Sequence, residues 1–253
     1  MVQWGFYFDQ SRCVGCKACE FACKNWNDSK RGDRDINPAD YTYTWPAEGQ
    51  NADKNLFVDK DGYTNFAEYR KYYMKEKWRR LTVFPYGYVT TNARGTYIPN
   101  FDVLNLSVAC NHCTDPACMA ACPMGAYTKE EKYGIVLVNK NACISCGKCQ
   151  DACPWGAPQF YDDPAKYSLA DPARPRATKC TLCYERIEKG LRPACVAGCM
   201  ARAIDAGPMD ELKSRHPGWQ ATLTEFAAPG GGISADTKAN IIFKKRDKKT
   251  EGV

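Results

Sequence analysis

Sixteen cysteines fall into four groups of four, with none left over. Cys13-x2-Cys16-x2-Cys19-x3-Cys23 is the first, and Cys110-x2-Cys113-x4-Cys118-x3-Cys122 the second. Cys143-x2-Cys146-x2-Cys149-x3-Cys153 is the third, and Cys180-x2-Cys183-x11-Cys195-x3-Cys199 the fourth. Each group opens on C-x2-C and closes on C-x3-C. Ligands spread from Cys13 to Cys199 would staple distant parts of the chain together, so folding is expected to depend on whatever they bind.

A 4Fe–4S cube needs one thiolate per iron, and C-x2-C-x2-C-x3-C is the bacterial ferredoxin run. In two-cluster ferredoxins the fourth cysteine of that run reaches the neighbouring cube. The first and third groups fit it without deviation. The second lengthens one gap to four residues, and the fourth stretches its middle gap to eleven. Cys122-Pro123 and Cys153-Pro154 carry the proline that follows the last ligand, whereas Cys23-Lys24 and Cys199-Met200 do not. Structural zinc prefers two C-x2-C pairs separated by a longer loop. Disulfide frameworks belong to short secreted chains, and this one has 253 residues. All sixteen cysteines are therefore candidate cluster ligands, and the job they imply is one-electron transfer.

The length allows one or two domains. Mean hydropathy is −0.54, and no apolar run approaches the ~20 residues that span a bilayer. The formal charge of +6 counts every cysteine as neutral. An oxidised cube with four thiolates carries about −2, so four cubes shift the total by about −8. The apparent basicity is thus no argument for nucleic acid. Arg12, Lys17, Lys24, Lys148 and Lys179 lie beside ligands and Arg192 close to one; they either balance cluster charge or are ordinary solvated cations. Only twelve residues precede Cys13, which leaves no room for a secretory leader. The expected location is the cytoplasm, or the far side of a membrane after folded co-export with a signal-bearing partner.

CTDPACMAACPMGA (113–126) and CISCGKCQDACPWGA (143–157) both close as ACP-x-GA, and CVGCKACEFAC is a third copy. Such repeats suggest duplicated units. Gly15 and Gly147 sit inside tight C-x2-C loops, where glycine either brings backbone amides to sulfur or merely permits the turn. Clustered β-formers predict strands over Gln3–Phe8, Ile135–Val138 and Asn240–Phe243. Helices are expected around Lys17–Asn25, Lys148–Ala152 and Met209–Arg215, the last ending before Pro217-Gly218. Gly230-Gly231-Gly232 reads as a loop, and the basic tail Lys244–Lys249 as a solvated end. Residues 24–109 hold no cysteine between Lys24 and Ala109. They are rich in aromatics, Tyr41, Tyr43, Trp45, Tyr63, Tyr69, Tyr72, Tyr73, Trp78, Tyr86, Tyr88 and Tyr97 among them. Tyrosine and tryptophan suit either a docking surface or a wrap that keeps water from the clusters.

With all four groups in view, the sequence resembles the four-cluster iron–sulfur subunit of the dimethyl sulfoxide reductase and molybdopterin oxidoreductase family. The resemblance runs through GFYFDQSRCVGCKACEFACK (5–24), CNHCTDPACMAACPMGA (110–126) and CISCGKCQDACPWGAPQF (143–160). It continues through KCTLCYERIEKGLRPACVAGC (179–199), AGPMDELKSRHPG (206–218) and KANIIF (238–243). It implies an α+β fold of two interleaved bacterial-ferredoxin-like units in a pseudo-two-fold arrangement. The outer cluster pair would use 1–23 with 175–205, and the inner pair 110–160. An aromatic-rich insertion covers 24–109 and a C-terminal extension 206–253. Carried over by position, Cys13, Cys16 and Cys19 would share a cube with Cys199, and Cys180, Cys183 and Cys195 one with Cys23. Cys110, Cys113 and Cys118 would join Cys153, and Cys143, Cys146 and Cys149 would join Cys122. Met200 departs from the proline common after the last ligand, a change expected to be local. The stretch between the first and second groups is also longer than in the sulfoxide reductase subunit.

The resemblance implies an electron wire. A large catalytic subunit would carry a molybdenum or tungsten bis-pterin guanine dinucleotide cofactor. This protein would link it to a quinone-linked membrane anchor or a soluble carrier. Similar four-cluster subunits serve hydrogenases and nitrite reductases, and a free polyferredoxin-like carrier is a further alternative. No substrate-pocket signature is present, and no catalytic residue is assigned. His112 and His216 are the only histidines. His112, inside the second group, either tunes a cluster by a hydrogen bond or is a packed core histidine.

Overall fold

The computed structural model describes residues 2–29, 78–160, 176–223 and 237–246. The aromatics from Tyr41 to Tyr73, Gly230–Gly232 and the end of the basic tail lie outside them.

Strand β1 (Trp4–Asp9) is the middle of a three-stranded sheet. Its sequence WGFYFD is rich in aromatic β-formers. Both of its neighbours come from the far end of the sequence. β8 (Ile204–Pro208) pairs antiparallel with Phe6 opposite Ala206, and β9 (Ile241–Lys244) pairs parallel with Phe6 opposite Ile241. IDAGP is a poor strand sequence by itself, so pairing rather than propensity holds β8. The alternation of β1 sends its two faces into different cores. Phe6 and Phe8 enter the main core, which also holds Cys19, Cys23, Cys110, Cys153, Cys180 and Cys195. Tyr7 packs with Leu212 and Ile242. Leu212 lies on helix α6 (Met209–Arg215), which has Asp210 and Glu211 in its first turn and Lys213 and Arg215 in its last, as the helix dipole favours.

Three expected strands are present with ends shifted by about one residue: β1, β5 (Val136–Val138) and β9. Helix α3 (Lys148–Ala152) and α6 match their expected spans. Helix α1 (Ala18–Ser29) runs four residues further than expected. The cysteine-free stretch ends in a hairpin that no expectation covered. It pairs β2 (Arg80–Thr91) with β3 (Tyr97–Val108) over twelve residue pairs, from Arg80 opposite Val108 to Thr91 opposite Tyr97. At its tip the Asn92 side-chain oxygen accepts the amides of Arg94 and Thr96, each at 2.9 Å. Its base is buried through Leu81, Leu104, Leu106 and Val108, while residues 91–97 are exposed. The short pairs β4 (Tyr127–Lys129) with β5, and β6 (Gln159–Phe160) with β7 (Ala177–Thr178), follow later cysteine loops. Helices α2 (Ala117–Ala120), α4 (Tyr184–Ile187) and α5 (Ala194–Ala197) are single turns that carry or flank ligands.

The meeting of α1 and α5 brings the first and fourth cysteine groups together. Gly198, just past α5, makes the approach: a Cβ built there would stand 2.6 Å from Ala22 Cβ. Gly198→Ala is expected to push the two helices apart at a cost of about 1–3 kcal/mol. Thermal unfolding followed by circular dichroism should show a lowered midpoint, largely recovered when Ala22→Gly is added. An unchanged midpoint would mean this contact does not set the docking.

Candidate iron–sulfur centres

Each group opens with the same backbone device. The residue two positions after the first cysteine has a left-handed backbone: Gly15 (φ 74°), His112 (φ 45°), Ser145 (φ 61°) and Leu182 (φ 55°). That conformation turns its amide back onto the preceding sulfur. His112, Ser145 and Leu182 donate their N–H to Cys110, Cys143 and Cys180 Sγ at 3.5, 3.4 and 3.3 Å. The Gly15 amide does the same for Cys13, easing the rise that burial imposes on its thiol pKa. Three of these four residues are not glycine, and a left-handed non-glycine costs about 1–3 kcal/mol. Gly15 thus fulfils the amide role. Gly147 (φ 80°) instead caps α3, its carbonyl accepting from the amides of Gln150 at 2.8 Å and Asp151 at 3.2 Å.

The closing cysteines share a second device. Gly125, Gly156 and Arg202 are left-handed three positions after Cys122, Cys153 and Cys199. The next amide then donates to sulfur: Ala126 to Cys122 at 3.3 Å, Ala157 to Cys153 at 3.4 Å and Ala203 to Cys199 at 3.2 Å. Met200 leaves this turn intact, so the missing proline costs the fourth group no sulfur contact. The first group departs instead. α1 continues through Cys23, which removes the turn, and a side chain takes over: Asn27 Nδ2 lies 2.7 Å from Cys23 O and 3.6 Å from its Sγ.

Thiols from different cysteine groups are electrostatic neighbours, among them Cys19 with Cys195 and Cys180 with Cys110. Cys13 faces Cys199 and Cys16. Cys23 faces Cys195, Cys180 and Cys183, and burial followed by these neighbours raises its pKa. Cys118 faces Cys110, Cys153 and Cys113. Cys149 faces Cys143, Cys146 and Cys122. Burial likewise pushes Cys19 and Cys113 up to about 12. Among the described residues no three His, Cys, Asp or Glu side chains converge on one ion-sized point. A cube asks for sulfurs set wider apart, each on its own iron.

The neighbourhood of Cys118 provides a test of fit. Cys110, Cys113, Cys118 and Cys153 line one cavity together with Asn111 and Thr237. Both polar groups of Asn111 are buried without a hydrogen-bond partner, and the Thr237 hydroxyl stands beside Cys113. The orphaned donor Asn111 Nδ2 calls for an acceptor, which the sulfides of a cube would supply. Four thiols, an unsatisfied donor and the buried Lys179 in the same wall suit an anionic iron–sulfur cluster.

Of the six cations singled out by sequence, Lys179 is buried, Lys17 and Lys24 are half-buried, and Arg12, Lys148 and Arg192 are exposed. Lys179 Nζ donates to Cys110 Sγ at 3.4 Å. His112 is a packed histidine: its Nδ1 accepts the Val136 amide at 3.1 Å, and burial holds its pKa well below the usual range. Its contribution to sulfur comes from the backbone. Arg79, Asn27 and Ser107 were missed. Ser107 Oγ lies 3.4 Å from Cys19 Sγ, and Arg79 donates to that hydroxyl at 3.3 Å. None of the three lies within a motif; Asn27 follows Cys23 by four residues, Ser107 precedes Cys110 by three, and only Arg79 is far from any.

A mixed α/β protein made of cysteine loops that bend amides onto sulfur is a ferredoxin-type iron–sulfur protein. Residues 101–209 match the family model of a 4Fe-4S dicluster domain, and residues 4–25 that of a 4Fe-4S binding domain. The sequence is 34% identical to the B subunit of the anaerobic dimethyl sulfoxide reductase of Haemophilus influenzae, covering 96% of this protein and 90% of that one. It is 34% identical to the subunit of the same name from Escherichia coli K12, covering 96% and 89%. It is 30% identical to perchlorate reductase subunit beta of Dechloromonas aromatica, covering 84% and 66%. The protein belongs to the family of dimethyl sulfoxide reductase iron–sulfur subunits. It is an electron-transfer subunit whose sixteen cysteines suit four 4Fe–4S clusters.

Elemental analysis of the purified protein should therefore give about sixteen iron and sixteen sulfide per polypeptide. A colourless protein with about four zinc ions would overturn the assignment.

Proposed function

We propose that this protein is a four-cube electron wire between a large molybdenum or tungsten bis-pterin catalytic subunit and a quinone-linked membrane subunit or soluble carrier. A bound 4Fe–4S cube takes up and releases one electron at a time. The ligand sets are Cys13, Cys16, Cys19 with Cys199; Cys180, Cys183, Cys195 with Cys23; Cys110, Cys113, Cys118 with Cys153; and Cys143, Cys146, Cys149 with Cys122. The thiol neighbourhoods described above support these sets. Two interleaved ferredoxin-like units in a pseudo-two-fold arrangement follow from them, the outer one from 1–23 with 175–205 and the inner one from 110–160.

The observation that carries the reading is the gradient of burial along the sets. Cys16 in the first and Cys146 in the last are exposed, whereas Cys23, Cys180, Cys183 and Cys195 are all buried. Neighbouring thiols support an order for the sets. Cys19 faces Cys195, Cys180 faces Cys110, and Tyr127 stands between Cys149 and Cys118. A row of sites wet at both ends and dry in the middle suits a conductor. Exposed apolar side chains rim the ends: Val14 and Met200 near one, Ile144 and Met124 near the other. They support docking of a different partner at each end.

Among the described residues no helix is long and apolar enough to cross a membrane. Membrane association then comes through the anchor subunit, and export, where it occurs, follows folding with a signal-bearing partner. The names of the relatives range over dimethyl sulfoxide, perchlorate and selenate reductases, so the catalytic partner decides the substrate.

Metal analysis of the native complex is the primary test. Molybdenum or tungsten accompanying the iron supports the reading; nickel or extra haem iron in their place transfers the wire to a hydrogenase or nitrite reductase. Cys23→Ala tests the sets. Electron paramagnetic resonance should show loss or conversion of the cube held by Cys180, Cys183 and Cys195, with the Cys13 cube retained. Selective loss of the Cys13 cube would sink the interleaved assignment.

A further inference from the structure

Two buried cations stand where these ligand sets adjoin. Each is 2% exposed, and neither forms an ion pair with a carboxylate among the described residues. Lys179 Nζ donates to Cys110 Sγ at 3.4 Å, to Cys180 O at 3.2 Å and to Val136 O. One ammonium therefore touches a ligand residue from each of two sets. Arg79 Nη1 donates to Ser107 O at 3.4 Å and Ser107 Oγ at 3.3 Å, and that hydroxyl lies 3.4 Å from Cys19 Sγ. Its guanidinium covers the Phe6 ring at 4.3 Å. Its Nε and Nη2 are buried without partners. Its charge faces Cys195, Cys19, Cys180 and Cys23.

A buried cation with no counter-ion is strongly destabilising. Here the available anions are cysteine sulfurs and what they bind. Arg79 faces the Cys19 set and the Cys23 set together; Lys179 faces the Cys180 set and the Cys110 set. No such pair of contacts is needed to bind a cube, since the cysteines and backbone amides do that.

We propose that Arg79 and Lys179 are potential-setting residues at two successive junctions of the wire, each raising the reduction potentials of the cubes on its two sides. The inference rests on the ligand sets proposed above. Reduction adds one electron to a cube and takes its charge from about −2 to about −3. A fixed positive charge in a low-dielectric interior stabilises the more negative state more strongly. Each cation also shields neighbouring cubes from one another, so that an electron on one opposes arrival at the next less. Both act through electrostatics and take no part in the covalent chemistry.

The test is a redox titration of the intact complex, read by electron paramagnetic resonance, for Arg79→Gln, Lys179→Met, Arg79→Lys and Lys179→Arg. In the neutral variants the ratio of reduced to oxidised cube at fixed poise should fall about tenfold for the flanking cubes, which is about 59 mV for one electron. Arg79→Gln should spare the last two cubes, and Lys179→Met the first and last. The charge-keeping variants should stay near the native potentials. Unmoved potentials in the neutral variants would overturn the proposal, as would equal shifts in the charge-keeping ones, which would indicate packing. Where a neutral variant loses iron, its charge-keeping counterpart decides: iron and potentials retained support the proposal, and iron lost overturns it. Fewer than four cubes in the unmodified complex would instead remove the ligand sets, and this inference with them.

Discussion

Anionic sulfur buried in a protein core must be met by hydrogen-bond donors, and the structure depends on how the backbone supplies them. An amide in a regular helix points along the axis toward the carbonyl four residues back. A left-handed residue reverses that direction. Gly15, His112, Ser145 and Leu182 do so after the first cysteine of each group, and Gly125, Gly156 and Arg202 do so after three of the four last ones. The strain of each non-glycine, about 1–3 kcal/mol, is of the same size as the about 1.5–3 kcal/mol of a hydrogen bond to a charged group. The conformations are therefore expected to be firm only when the sulfur is ionised and ligated.

The rest of the fold holds these loops against one another. β1 leads directly into the first group, with Asp9 accepting the Ser11 amide at 2.9 Å as the strand ends. The Glu20 carboxylate accepts the Leu81 amide and so ties α1 to the base of the hairpin. From that hairpin Asn105 Nδ2 reaches Cys13 O at 3.0 Å, and Ser107 reaches Cys19. The stretch between the first two cysteine groups thus ends as a scaffold for the first of them.

Much of this was legible because spacing in sequence is a direct record of geometry for short motifs. The sixteen candidate ligands, three strands and three helices were all visible in local pattern. The β2–β3 hairpin was not legible: Pro85 and Gly87 interrupt one arm and Pro99, Asn100 and Asp102 the other, residues that argue against a strand, and the pairing of the two arms overrides them. Arg79 was beyond reach, since its four cysteine neighbours lie about 56 to 116 residues away and no motif announces a long-range electrostatic contact. Lys179 was visible as a cation beside a ligand, but sequence could not separate it from Lys148, which is exposed. Asn27 shows why the first group looked regular and is not. Its C-x3-C is followed by Lys24-Asn25-Trp26-Asn27, without the proline and the left-handed glycine that follow Cys122 and Cys153, so the helix runs on and a side-chain amide replaces a backbone one.

The central position of β1 has a consequence for biosynthesis. Its two hydrogen-bonding partners lie at Ile204–Pro208 and Ile241–Lys244. During translation at about 5–20 residues per second, β1 waits about 10–40 s before its first neighbour is made. Throughout that interval Phe6, Tyr7 and Phe8 belong to an apolar, β-prone segment that lacks both of its pairing partners, the kind of segment that pairs with other polypeptides. The newborn subunit thus carries β1 as an unpaired apolar segment long after that segment has emerged from the ribosome.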